Sequence, residues 1–163
     1  MSSPTHAPTA ANALPSATPA GTGRAVEAVR ALARASRLLE RASDELNLAQ
    51  YRVLAAIASG DERSSRIATR LALGKPTVSA MVESLRQRGL LARSGVQSDQ
   101  RAAALHVTRE GEAVLQRVEA AMTRRLDDVC GRTPDREQLL ESLVWMGAAI
   151  DELVAERHAR SGR

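Results

Sequence analysis

Apolar side chains recur along the chain mostly at the spacing of amphipathic α-helices. Apolar residues at every third or fourth position predict a first helix from residue 24 to about residue 43, with arginines on its other faces. The same spacing predicts a second helix over residues 49–59, and Gly60 and Asp61 would end it. The beginning of the chain is therefore expected to be helical.

A short segment and a longer one then follow with almost nothing between them. Ser64 and Ser65 can cap a short helix over residues 66–71, and Gly74 favours a turn after it. The next helix has Pro76 in its first turn, where proline is tolerated. Its apolar residues form one inward-facing stripe of Val78, Met81, Val82 and Leu85. Two helices joined by a tight turn predict a helix-turn-helix.

Alternating residues predict a β-hairpin directly after this motif. The strands would cover residues 90–96 and 102–107, joined by a polar turn at 97–101. In the second strand, Leu105 and its alternate neighbours share one face, and His106 points to the other. A hairpin in this position is typical of a wing.

Two long helices are predicted to complete the fold. Thr108 would cap the fifth helix, which closes at Gly131, and Thr133 with Pro134 would open the last one. The first, fifth and last helices carry stripes too apolar to face water, and pairing of two copies would cover them. We expect a mainly α fold with a small β wing, in which a winged helix-turn-helix is flanked by N- and C-terminal dimerisation helices.

The expected domain division follows from these patterns. Residues 1–23 are rich in Pro, Ala, Thr and Ser and contain no apolar run suited to targeting or to a membrane, so we interpret them as a disordered tail. Residues 24–163 would form a single domain, with dimerisation helices at 24–45 and 109–158 and the winged helix-turn-helix at 46–108.

The few reactive side chains do not suggest a catalytic site. Cys130 is the only cysteine, which excludes an intramolecular disulfide and fits a reducing cytoplasm. It ends a helix, where the helix dipole does not favour a thiolate, so we interpret it as structural; nearby arginines leave oxidation sensing as an alternative. His6, His106 and His158 have no metal-ligand spacing. We expect no metal, cofactor or enzymatic activity.

Positive charge is concentrated around the helix-turn-helix. Residues 63–101 hold eight basic side chains and two acidic ones, a net charge of +6 against +4 for the whole chain. This distribution indicates a nucleic-acid face, with a merely solvated basic surface as the alternative. Lys75, the only lysine, would lie at a helix N-terminus, where a DNA phosphate would be attracted to both.

The helix after Gly74 has small residues on the face opposite its apolar stripe, so it can lie close in a major groove. At the predicted wing tip, Arg101 can reach a minor groove and Asp99 can orient it. The residues that we expect to contact DNA are Ser64, Ser65, Lys75, Pro76, Thr77, Ser79, Ala80, Arg86, Arg93, Asp99 and Arg101.

Five short motifs follow one another along the central part of the chain: LAQYRVL at 48–54, TVS at 77–79, LRQRGLLAR at 85–93, DQR at 99–101 and LHVTREG at 105–111. Through these motifs the sequence from about residue 46 to residue 115 resembles the MarR (multiple antibiotic resistance regulator) family of winged helix-turn-helix transcription factors. Position by position, the likeness assigns Thr77, Ser79 and Ala80 to the major groove and Arg101 with Asp99 to the minor groove. Many members have an arginine where this chain has Ala80.

The resemblance also implies partners that the residues alone do not. It implies a homodimer on a pseudo-palindromic operator in double-stranded DNA. It further implies repression that a small phenolic or other anionic effector relieves by binding between the dimer helices and the winged module. The alternative hypothesis is a helical dimer that serves as a protein-interaction module with weak or no DNA binding. Replacement of Arg101 by alanine should distinguish them, because only a DNA-binding protein would lose affinity for DNA.

Overall fold

The computed structural model describes residues 19–60, 64–94 and 104–161 of the chain. Within these residues the predicted order of elements is confirmed. The elements are α1 (Pro19–Glu40), α2 (Leu48–Ala58), α3 (Ser64–Arg70), α4 (Lys75–Gln87), β1 (Leu91–Ser94), β2 (Ala104–Val107), α5 (Arg109–Cys130) and α6 (Arg136–Ser161).

The chain divides into two compact units, residues 1–35 and 36–163, and the boundary lies inside α1. Helix α1 begins at Pro19, so residues 19–23 are helical where the sequence predicted a disordered tail. Proline is well tolerated in a first turn, and each glycine costs a helix only about 1 kcal/mol. The alanine- and leucine-rich turns that follow can offset that cost. Residues 1–18 lie outside the described residues, and a disordered tail there stays a prediction.

The core of the second unit is aliphatic, as the near absence of aromatic residues predicts. Three of the four residues of the stripe predicted for α4 are buried, with Val78 and Leu85 at 0% exposure, and the fourth, Met81, is partly buried against the same core. It packs against α2, whose Val53 and Leu54 are also fully buried, and the same cluster includes Val118 of α5. The helix-turn-helix is therefore held by side chains from helices on both sides of it in the sequence.

The predicted hairpin is an antiparallel pair in which Leu91 pairs with Val107 and Ser94 with Ala104. Leu105 faces the core and His106 is exposed, which confirms the predicted alternation. Strand β1 begins at Leu91, one residue later than predicted. The predicted turn and the strand ends next to it fall on residues 95–103, which lie outside the described residues, so they stay predictions.

The N-caps explain where the two C-terminal helices begin. Thr108 caps α5 as predicted, because its hydroxyl accepts the Gly111 amide at 3.0 Å. The predicted start of α6 at Thr133 and Pro134 is wrong. Helix α6 begins at Arg136, and the Asp135 carboxylate accepts the Gln138 amide at 2.9 Å. The Thr133 hydroxyl is already engaged, because it donates to the Cys130 carbonyl at the end of α5.

Large apolar side chains are in contact with solvent on three of the described helices: on α5 it is Val129, and the others lie on α1 and α6. In α6, Trp145 is 62% exposed and Val144 is 71% exposed. The other exposed large apolar residues of α1 and α6 are Val26, Val29, Leu32, Leu38, Ile150 and Leu153. Among the described helices, none is long and apolar enough to cross a membrane.

Candidate nucleic-acid interface

Helix α4 separates its side chains into a buried face and an exposed face. Val78, Val82 and Leu85 are buried in the core. The other face is in contact with solvent and carries the residues expected to meet DNA: Lys75, Pro76, Thr77, Ser79 and Ala80. The structure thus brings these five predicted residues together on the first two turns of one helix. The small size of four of them, all except Lys75, leaves the helix backbone accessible to a large partner such as a DNA groove.

The N-terminus of α4 is open. Its N-cap residue is Gly74, which offers no side chain to accept the first amide groups of the helix. Unpaired amides and the helix dipole favour an anion at this end, and Lys75 adds a positive charge beside it. The arrangement is chemically suited to a phosphate group.

Helix α3 lies before this end in the sequence and begins at Ser64. The two serines that were predicted to precede the helix as caps are therefore inside its first turn. Ser64 is half-buried, and the side chain of Ser65 is outside the described part of the chain. Contact of either serine with DNA stays a prediction.

Arg86 is engaged within its own helix. Its Nη1 donates to Glu83 Oε2 at 2.7 Å, one turn earlier on α4, and its side chain is 35% exposed. The Nε of Arg86 is buried and has no hydrogen-bond partner among the described atoms. A contact between Arg86 and DNA would therefore require the guanidinium to leave Glu83, a change that costs little for an exposed ion pair.

The wing is described only near its base. Arg93 is exposed on β1, where it pairs with Leu105 of β2. Asp99 and Arg101 lie outside the described residues, so their contacts with each other and with DNA stay predictions.

The C-terminal end of α4 is fixed by contacts that the sequence reasoning missed. The Thr108 hydroxyl donates to the Gly89 carbonyl at 2.7 Å, and Arg88 Nη2 donates to the Glu45 carbonyl at 2.7 Å. Gly111 packs so closely that a Cβ there would lie 2.1 Å from the Leu90 carbonyl oxygen. Thr108 and Gly111 were visible in the sequence as signals of close packing at the start of α5. The contact of Arg88 with Glu45 had no such local signal.

Glu45 also forms an ion pair with α5. Arg117 Nη2 lies 2.7 Å from Glu45 Oε2, and Arg117 Nε lies 3.1 Å from Oε1, so the guanidinium makes parallel hydrogen bonds to the carboxylate. These bonds hold the pKa of Glu45 below its ordinary value, and they raise the pKa of Arg117. A second, longer pair joins Arg117 to Glu110 at 3.7 Å.

Two cavities lie beside α2, and Tyr51 lines both. The first has a volume of about 440 Å³ between α2, α3 and α6, with Arg52 and Arg70 in its lining and Ile150 in its apolar wall. The second has a volume of about 370 Å³ and includes Glu119 of α5. Burial raises the pKa of the Tyr51 hydroxyl, and the nearby Glu119 carboxylate raises it further. Both cavities are large enough for a small organic ligand.

Cys130 is fully buried at the end of α5. A buried thiol is poorly accessible to oxidants, which supports the structural interpretation. Among the described residues, no group of three or more His, Cys, Asp or Glu side chains could hold a metal ion.

Known structures share this architecture. A transcriptional repressor, CouR, solved with a 23-mer DNA duplex, is 30% identical with a TM-score of 0.63, and the match covers 78% of this chain and 90% of that one. A MarR-family regulator from Rhodococcus sp. RHA1 is 17% identical with a TM-score of 0.66, covering 80% of this chain and 94% of that one. PcaV from Streptomyces coelicolor, solved with its natural ligand, is 23% identical with a TM-score of 0.53, covering 80% and 91%. A search of curated proteins finds no significant match.

The fold and the exposed face of α4 define a winged helix-turn-helix protein, in which long helices precede and follow the winged module in the sequence. A sequence model of the MarR family matches residues 44–102, which include the helix-turn-helix. Together with the identity to CouR over most of both chains, this match shows that the protein belongs to the MarR family of transcriptional regulators.

Proposed function

We propose that this protein is a sequence-specific DNA-binding regulator that represses transcription until a small effector releases it. The observation that carries the proposal is the division of α4 into a buried apolar face and an exposed face of small residues with two hydroxyl groups, next to an uncapped helix N-terminus that carries Lys75. A helix with these properties can enter a major groove without steric conflict and can hold a phosphate at its end.

Each exposed residue of α4 has a role in this proposal. The hydroxyls of Thr77 and Ser79 would bond to phosphates or base edges, and the Ala80 methyl would contact a thymine methyl. Lys75 would neutralise a phosphate near the helix N-terminus. In the wing, Arg93 would contact the backbone, and Arg101 would enter the minor groove beside Asp99.

We propose that the regulator is a homodimer. The exposed apolar side chains of each of the helices α1 and α6 would be covered by a second copy, since large apolar side chains grouped on the surface of a helix are typical of interaction sites. A two-fold dimer presents two recognition helices to successive major grooves on one side of the duplex. It therefore requires a pseudo-palindromic operator.

The 440 Å³ cavity is the proposed effector site. Arg52 and Arg70 give the lining a net positive charge beside the single carboxylate of Asp151, and Leu71 and Ile150 provide apolar surface, a combination that suits an aromatic anion. The cavity has walls from α3 of the helix-turn-helix and from α6. If α3 and α6 can adopt two spacings, one that suits DNA and one that does not, a ligand that binds the second spacing more tightly would lower the affinity for DNA.

The test of DNA binding uses a duplex selected by the protein from a random-sequence library, with a scrambled duplex as the reference. In fluorescence anisotropy, Ser79→Asp should bind the selected duplex about tenfold or more weakly than wild type, because the new carboxylate would face phosphates and base edges. Gln138→Glu adds the same charge on α6, where the side chain is exposed, and it should bind as wild type does. Equal loss in both variants would mean that α4 does not enter the groove.

Two further outcomes separate the alternatives. If the wild type binds neither duplex even at low salt, the interaction-module hypothesis replaces the proposal. If it binds and Arg101→Ala weakens binding, the proposed minor-groove contact is supported.

The effector site is tested with salicylate as a probe phenolic anion. It should weaken DNA binding by the wild type, and it should have a much smaller effect on Arg52→Gln, which keeps a polar side chain in the cavity lining but has lost one positive charge. An equal response of the two proteins would place the effector elsewhere.

A further inference from the structure

Glu45 contacts two helices that both lie far from it in the sequence. Its carboxylate accepts hydrogen bonds from Arg117 on α5, and its carbonyl accepts one from Arg88. Arg88 is the C-cap residue of α4. One residue of the segment before α2 therefore contacts both the long helix α5 and the end of the helix that would enter DNA.

The position of Glu45 is fixed by its neighbours. Its amide donates to the Ser43 hydroxyl at 3.2 Å. Leu46, the next residue, is 2% exposed in the core. Asn47 then caps α2 in a reciprocal pair with Gln50. The Gln50 amide donates to Asn47 Oδ1 at 2.8 Å, and the Asn47 amide donates to Gln50 Oε1 at 3.3 Å. Because the backbone is held on both sides, Glu45 can transmit a constraint between its two arginine partners.

Parallel hydrogen bonds between a guanidinium and a carboxylate determine orientation as well as distance. They contribute little to stability where both side chains are exposed to solvent, as Arg117 and Glu45 are at 53% and 41%. The arrangement is thus better suited to fixing geometry than to holding the fold together.

A small tilt of α4 would matter for base recognition. The helix has 13 residues. At 1.5 Å per residue it is about 20 Å long, so a tilt of about 3° at its C-terminal end moves the other end by about 1 Å. Base-edge hydrogen bonds weaken steeply over such a displacement.

We propose that Glu45 is a positioning residue, which links Arg117 of α5 to Arg88 and thereby sets the orientation of α4 for DNA. We call these three residues the Glu45 relay. Its role in DNA binding rests on the proposed function. Its role in holding the end of α4 does not, since it follows from the contacts within one chain.

Two substitutions break the relay and leave Arg88 in place. Arg88 is kept because it is one of the basic residues of 63–101, the region expected to face DNA. Glu45→Gln replaces the charged acceptor by a neutral amide of the same shape. Arg117→Lys keeps the positive charge but cannot make the parallel bonds of a guanidinium. The matched controls are Glu141→Gln and Arg124→Lys, at exposed positions on α6 and α5 that form no ion pair with any described residue.

The first readout is hydrogen exchange in the free protein. Amides at the end of α4, including those of Gly89 and Leu90, should exchange faster in both relay variants than in the controls. The second readout is the ratio of affinities for the selected and scrambled duplexes. This ratio should fall about threefold or more in the relay variants, while binding to the scrambled duplex and the melting temperature change little. Glu45→Gln makes the protein more positive, so charge alone would strengthen its binding to DNA.

The outcomes are separable. If exchange and the affinity ratio in both relay variants match those of the controls, the relay has no positioning role and the proposal is overturned. A parallel fall in melting temperature and in binding to both duplexes would also overturn it, because that pattern indicates a purely structural ion pair. If the wild type selects no sequence at all, the proposed function fails, and faster exchange at the end of α4 still decides whether the relay holds that helix.

Discussion

Gly111 in the first turn of α5 has no room for a side chain. A Cβ at this position would lie 2.1 Å from the Leu90 carbonyl oxygen and 2.8 Å from Val107 Cγ1. The Leu90 carbonyl also accepts the Thr108 amide at 3.1 Å, so it cannot retreat without weakening that hydrogen bond. Gly111→Ala should therefore force α5 away from the segment between α4 and the wing.

The size of the effect follows from three contributions. Overpacking against fixed atoms costs about 1–3 kcal/mol, and a weakened buried hydrogen bond costs about 1 kcal/mol more. Alanine recovers about 1 kcal/mol of helix propensity relative to glycine. The free energy of unfolding should fall by about 2 kcal/mol, which corresponds to a decrease in melting temperature of about 4–8 °C for a chain of this size.

Urea denaturation followed by circular dichroism measures this difference, at one protomer concentration because dimerisation would make stability depend on concentration. The control is Gly23→Ala in α1, where a Cβ would meet nothing within 4 Å. This variant should be as stable as wild type or gain up to about 1 kcal/mol. A Gly111→Ala protein that is as stable as Gly23→Ala would refute the close packing of α5 against Leu90.

Three further predictions concern the caps, the ion pair and the dimer. Asn47→Ala removes the side-chain cap of α2 and should lower the free energy of unfolding by about 1 kcal/mol, measured by the same denaturation. The pKa of Glu45 is lowered in the folded state, so its contribution to stability is present above the unfolded value of 4.5 and is lost as the pH falls through the folded value. The difference in melting temperature between wild type and Glu45→Gln, which is small at neutral pH because the ion pair is exposed, should therefore disappear on acidification below 4.5, and a difference that grows would contradict this. Val144→Glu should shift sedimentation equilibrium toward the monomer, because a carboxylate would be buried on the proposed dimer face. Trp145 emission that moves to shorter wavelength as wild-type concentration rises would agree with burial of that face, and unchanged emission with unchanged mass would not.

The sequence was informative where a local rule decides the structure. The two faces of α4 follow from helical spacing, and the cap at Thr108 follows from a hydroxyl residue before an amphipathic run. The start of α6 could not be chosen in this way, because Thr133 and Asp135 are both good N-caps and the Thr133 hydroxyl is used at the end of α5. The pairing of Arg86 with Glu83 had a local signal in their i, i+3 spacing, which the sequence reasoning did not use.

The Glu45 relay could not be predicted from the sequence. Arg88 and Arg117 lie 43 and 72 residues from Glu45, and no local pattern specifies contacts at such separations. They arise only when α2, α4 and α5 pack around the shared core. The open N-terminus of α4 is a contrasting case, because Gly74 and Pro76 indicate it directly.

The most direct test of the central claim is the affinity of the wild-type protein for its selected duplex and for a scrambled duplex, measured by fluorescence anisotropy over a salt series. A regulator that reads bases through α4 should prefer the selected duplex by about a thousandfold or more. Its affinity for both should fall steeply with salt, with a logarithmic slope of about −0.9 for each phosphate contact. Equal affinity for the two duplexes would contradict sequence-specific recognition, and binding that does not respond to salt would contradict contact with the DNA backbone.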